Sequence, residues 1–199
     1  MVGEAAHETG RDGVKRAKLW LESTSRVEAK WINPYRGADK KLTVEWPVGG
    51  RPFSFDLGGT LRYGDFDGQV FYAEVKNYSL PSDLSGQFAD FLAKCYVWFL
   101  TKGEAWSDHF MWLTWVPHER AKAEMITTPD RVRKAVIKNA ARIFPPGTDA
   151  ETAVDGDVCL AVSARLWIIV LSEKQESLVP SREHLTLIYG HETSKETAP

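Results

Sequence analysis

A chain of 199 residues, 43% of them hydrophobic and 12% aromatic, has the size and composition to bury one substantial core. This excludes a disordered or fibrous chain, and a net charge of −2 excludes the strongly basic signature of an autonomous nucleic-acid binder. The two cysteines, Cys95 and Cys159, show no C-x-x-C spacing and read as free, buried thiols of a reducing compartment. With no apolar run of about 18 residues and no signal-peptide pattern, a cytoplasmic location without membrane contact is expected.

Helical periodicity opens the chain. Between Gly3 and Leu21, Val14, Ala17 and Leu21 recur on one face, with Leu19 and Trp20 beside them. Gly10 and Gly13 each cost a helix about 1 kcal/mol against Ala, so a close approach by another group is expected here. Arg11, Lys15, Arg16 and Lys18 add positive charge that serves either phosphate contacts or a solvated helix face. Residues 26–41 show no clear period; within them 31–37 read as a loop broken by Pro34 and Gly37, with Trp31 and Tyr35 packing over the core edge or stacking on a base. Alternation in Leu42-Thr43-Val44-Glu45-Trp46 predicts the first strand, and residues 47–52 a turn.

Two β-like runs follow, 53–63 and 69–78, separated by Gly64-Asp65-Phe66-Asp67-Gly68, which is a hairpin signal. Asp65 and Asp67 read as turn residues. Asp56 stands between Phe55 and Leu57 in the first run. Glu74 and Lys76, two apart in the second, leave the same face of their strand. Charges seldom sit in apolar strands unless they are paired, metal-bound or catalytic. Gly58-Gly59 marks either a kink in the hairpin or the close passage of a phosphate backbone.

After a loop at 77–82, whose Asn77 and Tyr78 are candidate substrate contacts, Ser82 is placed to cap a largely buried helix over 83–101. The apolar run 109–116 predicts a strand buried on both faces and ended by Pro117, making the preceding helix a β-α-β crossover. His109 and His118 flank this strand and read as surface histidines. Thr128-Pro129-Asp130 starts a helix with Val132, Val136, Ile137 and Ala140 inward. Its Arg131, Arg133, Lys134, Lys138 and Arg142, the most basic stretch, read as a solvated face, with nucleic-acid phosphate binding the alternative. A short helix over 157–164 and a last buried strand over 166–171 follow. Residues 181–189 fit helix and strand equally.

The set Asp56…Glu74-Val75-Lys76, within the order helix, three strands, helix, strand, resembles the PD-(D/E)XK, or restriction-endonuclease-like, nuclease superfamily, with Phe55 where the motif's name has proline. The resemblance covers about residues 3–116. It implies an α/β fold: an αβββαβ core with a central mixed sheet flanked by helices. A C-terminal helix/strand extension over about 117–191 and a polar tail over 192–199 complete a single domain, 1–199. It further implies Mg²⁺ or Mn²⁺ held by Asp56, Glu74 and the Val75 carbonyl, with Lys76 orienting the attacking water. A glutamate of the first helix, Glu8 in preference to Glu4, would support the metal. Gln87 on the following helix would reach the site, with Tyr96 a weaker alternative. Phosphodiester hydrolysis needs this chemistry: hard oxygen ligands for a cation, a water nucleophile, and positive charge where the phosphorane turns negative. The expected function is a metal-dependent nuclease acting on DNA, suited to prokaryotic defence or restriction, as a homodimer or in a larger complex that supplies specificity. The alternative is a catalytically silent nucleic-acid-binding or scaffold subunit of the same fold.

Overall fold

Strand β1 (Val27–Ile32) follows helix α1 (Val2–Ser23), and its Val27, Ala29 and Trp31 alternate with Glu28 and Lys30. The computed structural model describes residues 2–35, 37–77, 84–116 and 123–196, with 2–9, 123–124 and 195–196 as backbone only. The stretch without a clear period thus holds a strand, which also takes Trp31 and Ile32 from the expected loop. Its outward Glu28 is paired with Arg62 at 2.6 Å and Lys30 at 3.1 Å, so the polar positions are satisfied in the sheet. After the one-turn helix α2 (Asp39–Leu42), β2 (Thr43–Val44) and β3 (Phe53–Ser54) form a separate two-stranded ribbon. The expected first strand, 42–46, thus supplies only two residues, and these lie outside the main sheet. The ribbon folds over because Trp46 packs on Phe53, ring centroids 4.8 Å apart.

Next come β4 (Leu57–Leu61), β5 (Val70–Lys76), α3 (Leu84–Lys102) and β6 (His109–Thr114). The chain continues through α4 (Ala123–Ile126), α5 (Pro129–Lys138), α6 (Ala140–Ile143), α7 (Ala150–Ala153), α8 (Gly156–Ser163), β7 (Leu166–Val170), α9 (Glu173–Glu176) and α10 (Arg182–Glu196). The main sheet has five strands in the order β1-β4-β5-β6-β7. β4 is antiparallel to β1 and β5, whereas β5, β6 and β7 run parallel. Helix α3 is the crossover between β5 and β6, as the apolar run after Glu74 predicted.

Side-chain alternation divides the core between the two faces of this sheet. Phe71, Ala73 and Val75 of β5 pack with Val14, Ala17 and Leu21 of α1. Tyr72, Phe110 and Trp112 pack on the other face, with Phe88 and Phe91 of α3 and with Val132 and Val136 of α5. Glu74 and Lys76 share the parity of Tyr72 and so belong to the α3 face. This parity is what brings α3 to the acids.

The two strand glycines admit the chain itself, not a ligand. A β-bulge in β1 opposes Gly58 and Gly59. A Cβ at Gly59 would lie 1.9 Å from the Glu28 carbonyl oxygen, and one at Gly58 2.7 Å from Leu42 Cδ2. The passing-phosphate reading of this pair is thereby overturned. Gly13 behaves alike, since a Cβ there would lie 2.4 Å from Asn77 Cβ. α1 consequently presses against the residue that follows Lys76.

In the extension, Thr128 caps α5 by accepting from Arg131 N, and Val132 and Val136 are buried as expected. β7 is a half-buried edge strand, not a buried one, because it closes the sheet order after β6 and has no strand beyond it. The ambiguous 181–189 segment is helical, and α10 runs on to Glu196, into the stretch expected to be a polar tail. Arg16 of α1 binds Glu176 of α9 through two contacts of 2.8 and 2.5 Å, with Trp115 Nε1 donating to the same carboxylate at 3.0 Å. Both cysteines are free and buried. Among the described residues, no helix is long and apolar enough to cross a membrane. The Ser82 cap, Tyr78, Pro117 and His118 lie outside the described residues.

Candidate active site

Asp56 sits in the bend just before β4 and is pinned by its backbone from both sides. Its N–H donates to Ala73 O of β5 at 2.9 Å, and its carbonyl accepts from Asn33 N, just past β1, at 3.0 Å. The side chain then turns inward, and Oδ2 accepts from Val75 N at 2.8 Å. A carboxylate thus caps the β4–β5 ladder where its backbone partners end. This contact joins Asp56 to the Glu74-Val75-Lys76 segment.

Glu74 is 5% exposed, which is costly for a charge without partners. It has two. Lys76 Nζ donates to Oε1 at 2.9 Å, and Lys94 Nζ, from α3, donates to Oε1 at 2.9 Å and Oε2 at 3.1 Å. Lys76 also lies 5.9 Å from the centroid of the Trp112 ring. Two carboxylates and two ammonium groups therefore meet at the C-terminal end of β5.

The two acids respond differently to this enclosure. Loss of water around Asp56, reinforced by the charge of Glu74, pushes its pKa up to about 7, against the lowering effects of the Val75 N–H and of Lys76 and Lys94. Burial alone would also raise Glu74, but the close ammonium groups of Lys94 and Lys76 hold it below its ordinary range. Asp56 thus gains and loses its proton around neutrality beside an ionised Glu74.

Asp56, Glu74, Val75 and Lys76 are brought together. Gln87 stands half-buried in the first turn of α3, two turns before Lys94 on the same helical face. The contact that α3 makes with Glu74 comes from Lys94, two turns along, which the sequence reading does not single out. A signal for it existed: Lys94 is the sole charge between Phe91 and Thr101 in an otherwise apolar run. Tyr96 points elsewhere, since its hydroxyl accepts from Asp155 N at 3.0 Å before α8. Glu4 and Glu8 fall on α1, with side chains outside the described residues. Asp67 acts as a turn residue, its Oδ1 accepting from Tyr63 N at 2.7 Å.

His109 is a second correction. It is 7% exposed, not a surface residue, because β6 inserts it between Gln69 and Trp167. Trp167 Nε1 donates to Nδ1 at 3.1 Å, which leaves Nε2–H to donate to Gln69 Oε1 at 2.7 Å. Burial lowers its pKa, and this bonding holds a neutral imidazole.

Asp56, Glu74 and the Val75 carbonyl are hard oxygen donors of the kind Mg²⁺ and Mn²⁺ take, and the proton retained on Asp56 is one that a cation would displace. The donor set fits such an ion. The described residues contain no group of three or more His, Cys, Asp or Glu side chains placed to hold a metal, so the protein would provide two carboxylates and leave further positions to water. No protein-family model, curated protein or solved structure matches this chain.

Proposed function

We propose that this chain is a metal-dependent nuclease of the PD-(D/E)XK type that hydrolyses phosphodiester bonds, with DNA as the expected substrate. The observation that carries the reading is the convergence of Asp56, Glu74, Lys76 and Lys94 at one strand end, reached from three separate segments of the chain. Stability alone seldom requires such a cluster, because a well-packed apolar replacement is often as stable as a buried ion pair.

In this reading Asp56, Glu74 and the Val75 carbonyl hold Mg²⁺ or Mn²⁺, which when bound supplies Lewis acidity and an acidified water. Lys76 orients the nucleophilic water and places positive charge where the phosphoryl oxygens gain negative charge. Lys94 keeps Glu74 ionised at neutral pH and adds a second cation on the same side. Gln87 supports the site from the first turn of α3, and Glu8 is the α1 residue assigned to the metal. A role in prokaryotic defence or restriction, as a homodimer or within a larger complex, suits a small nuclease without a sequence-reading module.

The rival is a silent nucleic-acid-binding or scaffold subunit. One observation favours it: both Glu74 oxygens already accept from lysines, so the charge is compensated without a cation. Cleavage of plasmid and single-stranded DNA in Mg²⁺, Mn²⁺ or EDTA, by wild type, Asp56→Ala and Lys76→Ala, separates the two. Metal-dependent cutting abolished by both substitutions, with unchanged circular dichroism, is expected. Absence of DNA and RNA cutting under every metal, together with absence of calorimetric metal binding, would sink the nuclease in favour of the scaffold.

A further inference from the structure

On the α1 face of the sheet, where Val14 and Ile32 pack, a groove of about 510 Å³ runs between α1 and the segment after β1, lined by Arg11, Lys15, Lys18, Asn33, Pro34 and Tyr35 among others. Two contacts tie it to the site. Asn33, in its wall, donates its N–H to the Asp56 carbonyl at 3.0 Å. Gly13, on the helix that carries Arg11 and Lys15, packs against Asn77, the residue after Lys76. A ligand in this groove therefore lies on the α1 face, and its path to Glu74 and Lys76 on the α3 face runs around the strand end flanked by Asn33 and Asn77.

The groove's chemistry is selective. Arg11, Lys15 and Lys18 follow the i, i+4, i+7 spacing of one helical stripe. Lys18 is engaged by Glu22, but Arg11 and Lys15 are exposed and have no ion pair among the described residues. On a chain with a net charge of −2, this leaves a local pair of cations available to an anion. Opposite them Tyr35 is 60% exposed, an aromatic surface left unburied at the lip of a polar groove.

We infer that this groove binds a single-stranded nucleic acid, with its phosphates on Arg11 and Lys15 and a base stacked on Tyr35. The inference rests on the nuclease reading and specifies which form of substrate enters the site. A base inside a duplex has no free face for an aromatic ring, whereas a single strand offers one at every nucleotide. Two available cations also match a short stretch of backbone better than the broad phosphate contact of a duplex.

The test is fluorescence anisotropy of 5′-labelled dT12 and of a 12-base-pair duplex, in EDTA, with the full chain. Wild type is expected to prefer dT12. Arg11→Glu/Lys15→Glu should weaken dT12 binding by about 30-fold or more and flatten the slope of log K against log salt by about 1.4, at about 0.7 per lost contact on a single strand. Arg11→Ala/Lys15→Ala should show the same slope change without introducing repulsion, and Tyr35→Ala a loss of about tenfold at an unchanged slope. Lys134→Glu/Lys138→Glu on α5 should leave dT12 binding unaltered. The proposal is overturned if wild type fails to bind dT12 at low salt, prefers the duplex, or binds dT12 equally well without Arg11 and Lys15. Because binding in EDTA needs neither Asp56 nor a metal, loss of the groove and loss of the nuclease reading give different results: intact dT12 binding without any cleavage removes only the latter.

Discussion

Strands β5 and β6 bury polar groups at both ends, and the two ends handle them in opposite ways. At the N-terminal end, His109 is closed off by partners that are themselves neutral, Gln69 and Trp167, with the Phe66 ring edge-on 5.1 Å away. Every imidazole nitrogen has one partner and no charge is needed. At the C-terminal end, Asp56, Glu74, Lys76 and Lys94 collect four ionisable groups around one strand terminus. The first arrangement is complete as folded. The second keeps a proton on Asp56 near neutrality and ion pairs that can be exchanged, which are properties a reacting centre uses.

The contrast breaks most sharply on activity. Asp56→Ala and Lys76→Ala should lower metal-dependent DNA cleavage by about 10³-fold or more, whereas His109→Gln should leave it within about threefold, measured as single-turnover rates. Comparable losses at both ends would mean that the acid cluster is no more functional than the histidine.

Stability comes next. Glu74→Ala leaves two adjacent half-buried lysines and should cost about 3 kcal/mol in urea unfolding, with Lys94→Met in the same chain restoring most of it. His109→Ala strands the Trp167 and Gln69 groups and should cost about 2 kcal/mol, with no second-site rescue by a charge change.

Titration offers a finer distinction. The Asp56 pKa is raised to about 7 in the folded protein, so its contribution to stability is present below about pH 4 and lost as pH rises through 7. In metal-free protein, Asp56→Asn should therefore gain in Tm over wild type between pH 5 and 8, and added Mg²⁺ should narrow that gap by displacing the proton. His109 has the opposite sign. Its folded pKa is lowered, so its contribution is present above about pH 6.5 and lost as pH falls below it. His109→Gln should thus be less acid-sensitive than wild type in the same melts. This is the smallest effect, because only one neutral hydrogen-bonded ring is at issue.

Much of the site could be read from the chain because its spacing carries the geometry. Glu74 and Lys76 are two apart in a strand, so they must share a face, and the apolar run after them must cross over to a parallel strand. Asp56 was identified by an acid between apolar neighbours. β1 is not legible although Val27, Ala29 and Trp31 alternate, because Pro34 and Gly37 close behind them mark a loop from Trp31 on and leave too short a run before it. Lys94 was missed because a lone lysine on a helix usually faces water. Nothing within α3 says that it meets Glu74, a contact between residues 20 apart in the chain. His109 was misplaced for the same reason, since its partners are distant in the chain, Gln69 just before β5 and Trp167 on β7.

The sequence by itself determined the elements that rest on local periodicity and stereochemistry: α1, the β4–β5 hairpin, α3, β6, the Thr128 cap, and the Glu74–Lys76 pair on β5. Tertiary structure alone decided which of these faces meet. Sheet order and strand parity aimed Glu74 at Lys94, backbone pairing turned Asp56 toward Val75, and the bulge of β1 filled the space at Gly58 and Gly59. Such contacts depend on long-range register, and a one-residue shift in a strand would send every side chain to the opposite face.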